Sequence, residues 1–282
     1  MLANFPPVSW PYLMQLNLGV AGIDPGPAPI SGRGCRAYAE GLPQPHSALG
    51  SMPDAGVNSP TGLEFFATTP GGGGVVPLRL ASYPNMPAPP SEWAHILHST
   101  TVGPFNRTAG PDAATLGRMP SWLSQFREDP GSIYVHEYNR VGWADMHWVL
   151  EGLTLSNLTF GGCGNMSIGE HLLLTGNYFY VYNVAAELDQ ELEYYINRTS
   201  KILYAWLPWS GHSGSDLAGY ASLQEAPLLA LDSVTSGLWR NASFMFGRGA
   251  GISCVNCTGV SVEGAEVAFL GLMAANISGG PV

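Results

Sequence analysis

The sequence predicts an all-β chain with a parallel β-solenoid at its carboxyl end. Three observations carry that expectation. Glycine and proline are abundant, 36 and 23 of 282 residues, and prolines interrupt every helical window over the first sixty positions. Between about 133 and 207, short β-branched and aromatic runs alternate with polar residues, the two-residue period of a half-buried strand. In the last 55 residues, similar apolar triplets return at intervals near 23.

Composition narrows the function. Charged residues make up 11% of the chain, against about 25% in an average soluble protein. Eleven Lys and Arg face 21 Asp and Glu, a net charge of −10, which excludes a phosphate-backbone binder and hence a nucleic-acid partner. Hydrophobic residues reach 45%, enough to bury a core. The longest apolar candidate for a membrane span, 265–277, is short and broken by Glu266, so no span is expected.

Taken in order, residues 1–60 read as an irregular Pro/Gly-rich lead-in with short strands. A β-domain follows over 61–210. Residues 63–66 and 75–80 form a hairpin around the glycine-rich tip at 70–74, which lacks the trailing Lys-Ser/Thr of a phosphate loop. The polar, proline-spaced stretch 86–118 reads as an exposed loop. Strands are expected within 133–149, 153–160, 178–184 and 201–207, with one short helical turn in 185–195.

The solenoid occupies 211–282. Leu229, Ile252 and Ile277 open three similar stretches, with offsets of 23 and 25. Phe244 and Phe246 recur as Val267 and Phe269, both at 23, and Leu238 aligns with Val260 at 22. A single coil cannot bury its inner face, so such units stack, and equivalent side chains lie above one another about 4.8 Å apart.

Seven of the 14 asparagines head Asn-X-Ser/Thr sequons, at Asn106, Asn157, Asn165, Asn197, Asn241, Asn256 and Asn276. That excess over chance points to an extracellular or secretory protein, although Asn before hydroxyl residues also recurs in strand-and-turn repeats. The first ten residues hold no signal peptide, which places the true start upstream of this chain. Four cysteines, Cys35, Cys163, Cys254 and Cys257, are too few for a disulfide scaffold. Cys254 and Cys257 have zinc-knuckle spacing without a second ligand pair, leaving small buried residues, a disulfide, or a metal or redox role. No metal or cofactor is expected.

Several blocks resemble one known group, the right-handed parallel β-helix proteins of the pectin-lyase-like superfamily that carry an inserted β-domain and act on carbohydrates. Residues 78–85 are similar to its LARWPN segment, and 134–145 to an aromatic strand pair ending in Trp-Ala-Asp. Residues 179–204, with Asn183, Leu188, Asp189, Tyr195, Leu203 and Tyr204, resemble its most specific block. The chain departs from the pattern at Glu191 and Leu192, which replace Pro-Gly, at Asn197, which replaces Asp, and in the long stretch 87–120. The resemblance implies a right-handed β-helix preceded by an inserted antiparallel β-domain. It also implies a polysaccharide or glycan partner and a glycosidase or lyase activity whose carboxylates sit on later coils, outside these residues. Whether this chain is itself an enzyme stays open, because the same fold serves as a non-catalytic scaffold.

Three constellations are candidates for chemistry. Glu187, Asp189, Glu191 and Glu193 offer paired carboxylates, which glycosidic cleavage needs, or a turn that packs the inserted domain. Trp143, Asp145 and His147, with His136 nearby, are candidate sugar-binding residues; Asp145 and His147, two apart on one strand, also read as a metal pair without a third ligand or as ordinary polar residues of a strand edge. Trp143, Trp148, Trp206, Trp209 and Trp239 are amphipathic rings suited to sugar faces, with Trp206 and Trp209, which flank Pro208, reading foremost as core of the β-domain.

Overall fold

The computed structural model describes residues 4–23, 65–86, 92–102, 106–129, 131–138, 145–161, 176–209, 219–224, 226–270 and 274–279. Its contacts divide the chain into two compact units, Met1–Val57 with Arg79–Gly214 and Asn58–Leu78 with Ser215–Val282.

The first unit is built on a barrel of β6 (Ala94–Val102), β7 (Asn106–Pro111), β8 (Tyr134–Tyr138), β9 (Asp145–Leu153), β10 (Leu158–Gly161) and β11 (Tyr178–Tyr182). These pair in the order β11-β6-β7-β10-β9-β8, and β8 returns to β11, so six antiparallel strands close without an open edge. The short β5 (Ser82–Tyr83) adds to β11 outside that ring. Alternation sets the faces: Val135, Leu150, Leu158, Phe179 and Val181 are all fully buried in one core.

A helix, α1 (Ala113–Glu128), fills that core with Met119 and Trp122, both at 0% exposure. Asp112 caps it, accepting a hydrogen bond from the Thr115 N–H at 2.8 Å. This corrects the expectation of an exposed loop over 86–118, where β6, β7 and the first turns of α1 lie. Pro120 obscures the helix in the sequence, yet it sits on the exposed side, while Leu116, Met119, Leu123 and Phe126 supply the apolar stripe.

A four-stranded sheet completes the unit, in the order β1 (Leu13–Asn17), β13 (Ile202–Trp206), β12 (Glu193–Asn197) and β4 (Arg79–Leu80). Phe5, Ala81, Ala185, Leu188, Tyr195 and Tyr204 form its core. Within the expected lead-in, a 3-10 turn at Pro7–Tyr12 delivers β1 to β13, so this segment is integral to the sheet.

In the second unit, the hairpin β2 (Phe65–Thr68) and β3 (Val75–Pro77) pairs with β14 (Gly219–Ala221). The sequence places this hairpin in the domain 61–210, but its contacts assign it to the second unit. Phe66, 1% exposed, meets Phe246 at 5.0 Å and Phe269 at 5.8 Å, both edge to face.

Three parallel ladders follow: β15 (Leu229–Asp232), β18 (Ile252–Val255) and β21 (Ala275–Ser278); β16 (Gly237–Arg240) and β19 (Val260–Glu263); β17 (Ser243–Met245) and β20 (Glu266–Ala268). Every step is 23 residues: Leu229 to Ile252 to Ala275, Gly237 to Val260, and Phe244 to Val267. Two alignments change. Ile277 stands beside Cys254 rather than Ile252, and Leu238 beside Ser261 rather than Val260. The third copy begins with the small Ala275, so its first large apolar residue, Ile277, lies two positions past the start of the repeat.

Candidate functional site

In the barrel, β8 and β11 pair Tyr134 with Tyr182 and His136 with Tyr180. Their intervening residues Val135, Phe179 and Val181 point into the core. Tyr134, His136, Tyr178, Tyr180 and Tyr182 therefore take the opposite face. Trp93, just ahead of β6, joins them, with ring centroids 4.8 Å from Tyr180, 5.6 Å from His136 and 6.1 Å from Tyr178. Tyr178 also meets the His95 ring edge-on at 6.2 Å.

The two ends of this aromatic face differ. Tyr134 and Tyr182 are buried, with Leu80 and Tyr180 packed against them. Tyr178, Tyr180 and His95 are only half-buried. Edge-to-face and tilted ring contacts, about 0.5–1.5 kcal/mol each, brace these side chains against one another. Such a surface offers apolar ring faces beside phenol and imidazole hydrogen-bonding groups, the chemistry that suits a ligand with C–H faces and hydroxyl edges.

Asp145 and His147 open β9, and the backbone register sets them opposite Tyr138 and His136. Trp143 lies outside the described residues. The sequence reading missed Trp93, Tyr178 and Tyr180. Its signal was present in the alternation over 178–182, which places three tyrosines on one side of a strand.

The acidic cluster is closed. Glu187, fully buried, accepts hydrogen bonds from Trp122 Nε1 at 2.6 Å and from Arg118 at 2.5 Å. Arg118 also reaches Asp189 Oδ2 at 3.2 Å and lies over the Tyr83 ring, while Asn85 donates to Asp189 Oδ1 at 2.9 Å. Glu193 Oε2 accepts from the backbone N–H groups of Asp189 and Gln190 at 3.1 and 3.0 Å. Burial pushes Glu187 up to about 7 and Glu193 up to about 8. Glu187, at 0% exposure, fastens the turn to the barrel helix, Glu193, at 1%, closes the turn on itself, and neither carboxyl is open to solvent. Glu191 is exposed and stands apart from them.

Elsewhere, Trp206 stacks on Tyr12 at 5.4 Å, and the Trp239 ring lies over Gly237. Cys254 and Cys257 form a disulfide, while Cys35 and Cys163 lie outside the described residues. Asn241, Asn256 and Asn276 are exposed, Asn157 and Asn197 are half-buried, Asn106 opens β7, and Asn165 lies outside the described residues. Among the described residues no group of three His, Cys, Asp or Glu side chains could hold a metal ion, and no helix is long and apolar enough to cross a membrane.

No protein-family model matches the sequence, and no curated protein matches it. The fold is similar to that of a solved structure titled "Glycoside hydrolase", with a TM-score of 0.51 and 9% identity. The match covers 75% of this chain and 43% of that one, so this chain spans less than half of that protein's length. At such low identity the likeness is one of fold.

Proposed function

We propose that this chain is part of an extracellular, carbohydrate-active protein in which the three parallel ladders are the first coils of a right-handed parallel β-helix. Its barrel binds glycan on the half-buried rings of Tyr178 and Tyr180, which the buried Trp93 and His136 brace, and we assign Trp93, His136, Tyr178 and Tyr180, with the sequence candidates Trp143, Asp145 and His147, to that role. The observation that carries this reading is the pair of half-buried rings, Tyr178 and Tyr180, held against the buried Trp93 and His136. The disulfide and the sequons agree with a secretory location.

Glycosidic cleavage, in this reading, belongs to coils beyond these residues. A second reading, a non-catalytic glycan-binding scaffold, is favoured by one observation. Asp232 stacks on Val255, Glu266 on Ser243, and Glu263 on Arg240, with which it forms an ion pair at 2.8 Å, so no two carboxylates stack among the described residues of the ladders.

The test is affinity electrophoresis of the 282-residue chain in gels containing soluble plant and algal polysaccharides, together with a reducing-sugar assay. At least one polysaccharide is expected to retard the protein without being hydrolysed. Tyr178→Ala with Tyr180→Ala should weaken that retardation about tenfold or more, as loss of ring stacking does elsewhere. Equal mobility of the protein with and without every polysaccharide sinks the glycan-binding reading. Measurable hydrolysis moves the active site into this chain.

A further inference from the structure

We propose that Asn241 and Asn256 are corner residues of the coil stack that stay unglycosylated in the folded protein, and that Asn276 carries an N-linked glycan. The glycan assignment rests on the secretory reading above; the corner role does not. Asn241 and Asn256 both hold left-handed backbone, each with φ 52°. Asparagine adopts that conformation more readily than other residues with a side chain. One 23-residue step later stand Gly264 (φ 60°) and Gly279 (φ 70°), and one step before Asn256 stands Ser233 (φ 54°).

Backbone hydrogen bonds lace each corner to the next coil. The N–H of Ser233 donates to Val255 O at 2.8 Å, that of Asn241 to Glu263 O at 3.0 Å, and that of Asn256 to Ser278 O at 2.9 Å. The asparagine side chains then fill the space that the following glycines leave open. A Cβ on Gly264 would stand 2.8 Å from Asn241 Oδ1, and one on Gly279 would meet Asn256 Oδ1 closer still. Glycine at these positions therefore supplies both the positive φ and the room for an amide oxygen.

An N-glycan turns the side-chain amide into a secondary amide whose trans form is favoured by about 2.5 kcal/mol. The trans form sets the sugar C1 on the same side of the C–N bond as Oδ1. At Asn241 and Asn256 that side faces the next coil, so the first sugar would displace Gly264 or Gly279. Asn276 is placed differently. It pairs with Ser253, between positions that alternate inward at Ile252 and Cys254, 7% and 5% exposed. Its side chain is exposed on the outer face of the ladder.

Two measurements test this. The 282-residue chain is secreted from eukaryotic cells behind a cleavable leader, and its folded fraction is mapped by glycopeptide mass spectrometry. Glycan at Asn276 with none at Asn241 or Asn256 supports the proposal, and occupancy of either corner residue in folded protein overturns it. A chain carrying no glycan at any sequon overturns the Asn276 assignment and the secretory reading together. The corner role is measured separately on unglycosylated protein from bacteria. Asn241→Gln and Asn256→Gln should lower the Tm by about 4–8 °C, an ordinary shift for a unit of this size. Asn241→Gly, Asn256→Gly and Asn276→Gln should leave it nearly unchanged. Equal behaviour of the Gln and Gly variants at the corners overturns the corner role whatever the glycan map shows.

Discussion

The rings of Phe246 and Phe269 lie 5.4 Å apart and within 8° of parallel, one 23-residue step from each other. Both residues hold left-handed backbone, with φ 64° and 53°. Conformations this sparsely populated cost of order 1–3 kcal/mol for a bulky residue. The stack offsets that cost by packing against Phe66, which meets both rings edge-on.

Phe66→Ala is therefore expected to destabilise the second unit by about 3–5 kcal/mol, the usual range for deleting a fully buried phenylalanine. Phe269→Ala should cost less, because that ring is only half-buried. Urea denaturation followed by near-ultraviolet circular dichroism ranks the two. A larger loss from Phe269→Ala would mean that Phe66 is not the keystone of this packing.

Removing Arg118 leaves Glu187 buried with Trp122 as its remaining side-chain donor. Breaking a buried pair ordinarily costs about 3–5 kcal/mol. The Arg118 side chain is 42% exposed, and solvent screens the pair, so about 1–3 kcal/mol is expected for Arg118→Met. Glu187→Gln keeps the shape but only one of the two acceptors and turns an N–H toward Trp122 or Arg118, so it should cost at least as much. Chemical denaturation of the two variants compares them, and the reverse order would contradict the fastening role assigned to this cluster.

Burial raises Glu187 from 4.5 to about 7 and Glu193 from 4.5 to about 8. Between the ordinary value and those raised values the folded chain holds protons that the unfolded chain has released. Stability therefore falls as pH rises from about 5 to 8 and levels off above that. Melting curves across this window should show the decline, and Glu193→Gln should flatten its upper part. A Tm that climbs from pH 5 to 8 in both proteins would show that these carboxyls are not the groups governing it.

The Cys254–Cys257 disulfide closes a very short loop, with a sequence separation of 3, for which chain entropy predicts about 2 kcal/mol. Cys254→Ser with Cys257→Ser should lower the melting temperature of the second unit by a few degrees. Differential scanning calorimetry of the variant beside the parent protein measures the shift. A shift confined to the first unit would argue against the assignment.

Legibility in the sequence followed locality. Strands such as 178–182 and 202–206 stood out because alternation and β-branched or aromatic content are local signals. The 23-residue period stood out because Phe244, Phe246, Val267 and Phe269 repeat their spacing. The helix Ala113–Glu128 did not, because Pro120 and Gly117 lower its local preference, and its stability comes from Met119 and Trp122 inside the barrel. The barrel closure between β8 and β11 was equally hidden, since it joins segments some forty residues apart. For the candidate site, His136 and the β9 residues Asp145 and His147 were visible as isolated polar positions. The aromatic face was not, because Trp93 reaches Tyr180 only through the closed barrel.

The parallel ladders and their corners rest on the 23-residue register, which cross-linking measures directly. With the four native cysteines replaced by serine, Leu238→Cys with Ser261→Cys places two thiols on directly paired residues of β16 and β19. Leu238→Cys with Glu263→Cys, two positions further along, serves as the comparison. Dibromobimane should join the first pair in the folded protein much faster than the second. Equal rates, or faster joining of the second pair, would contradict the parallel stack and the coil corners derived from it.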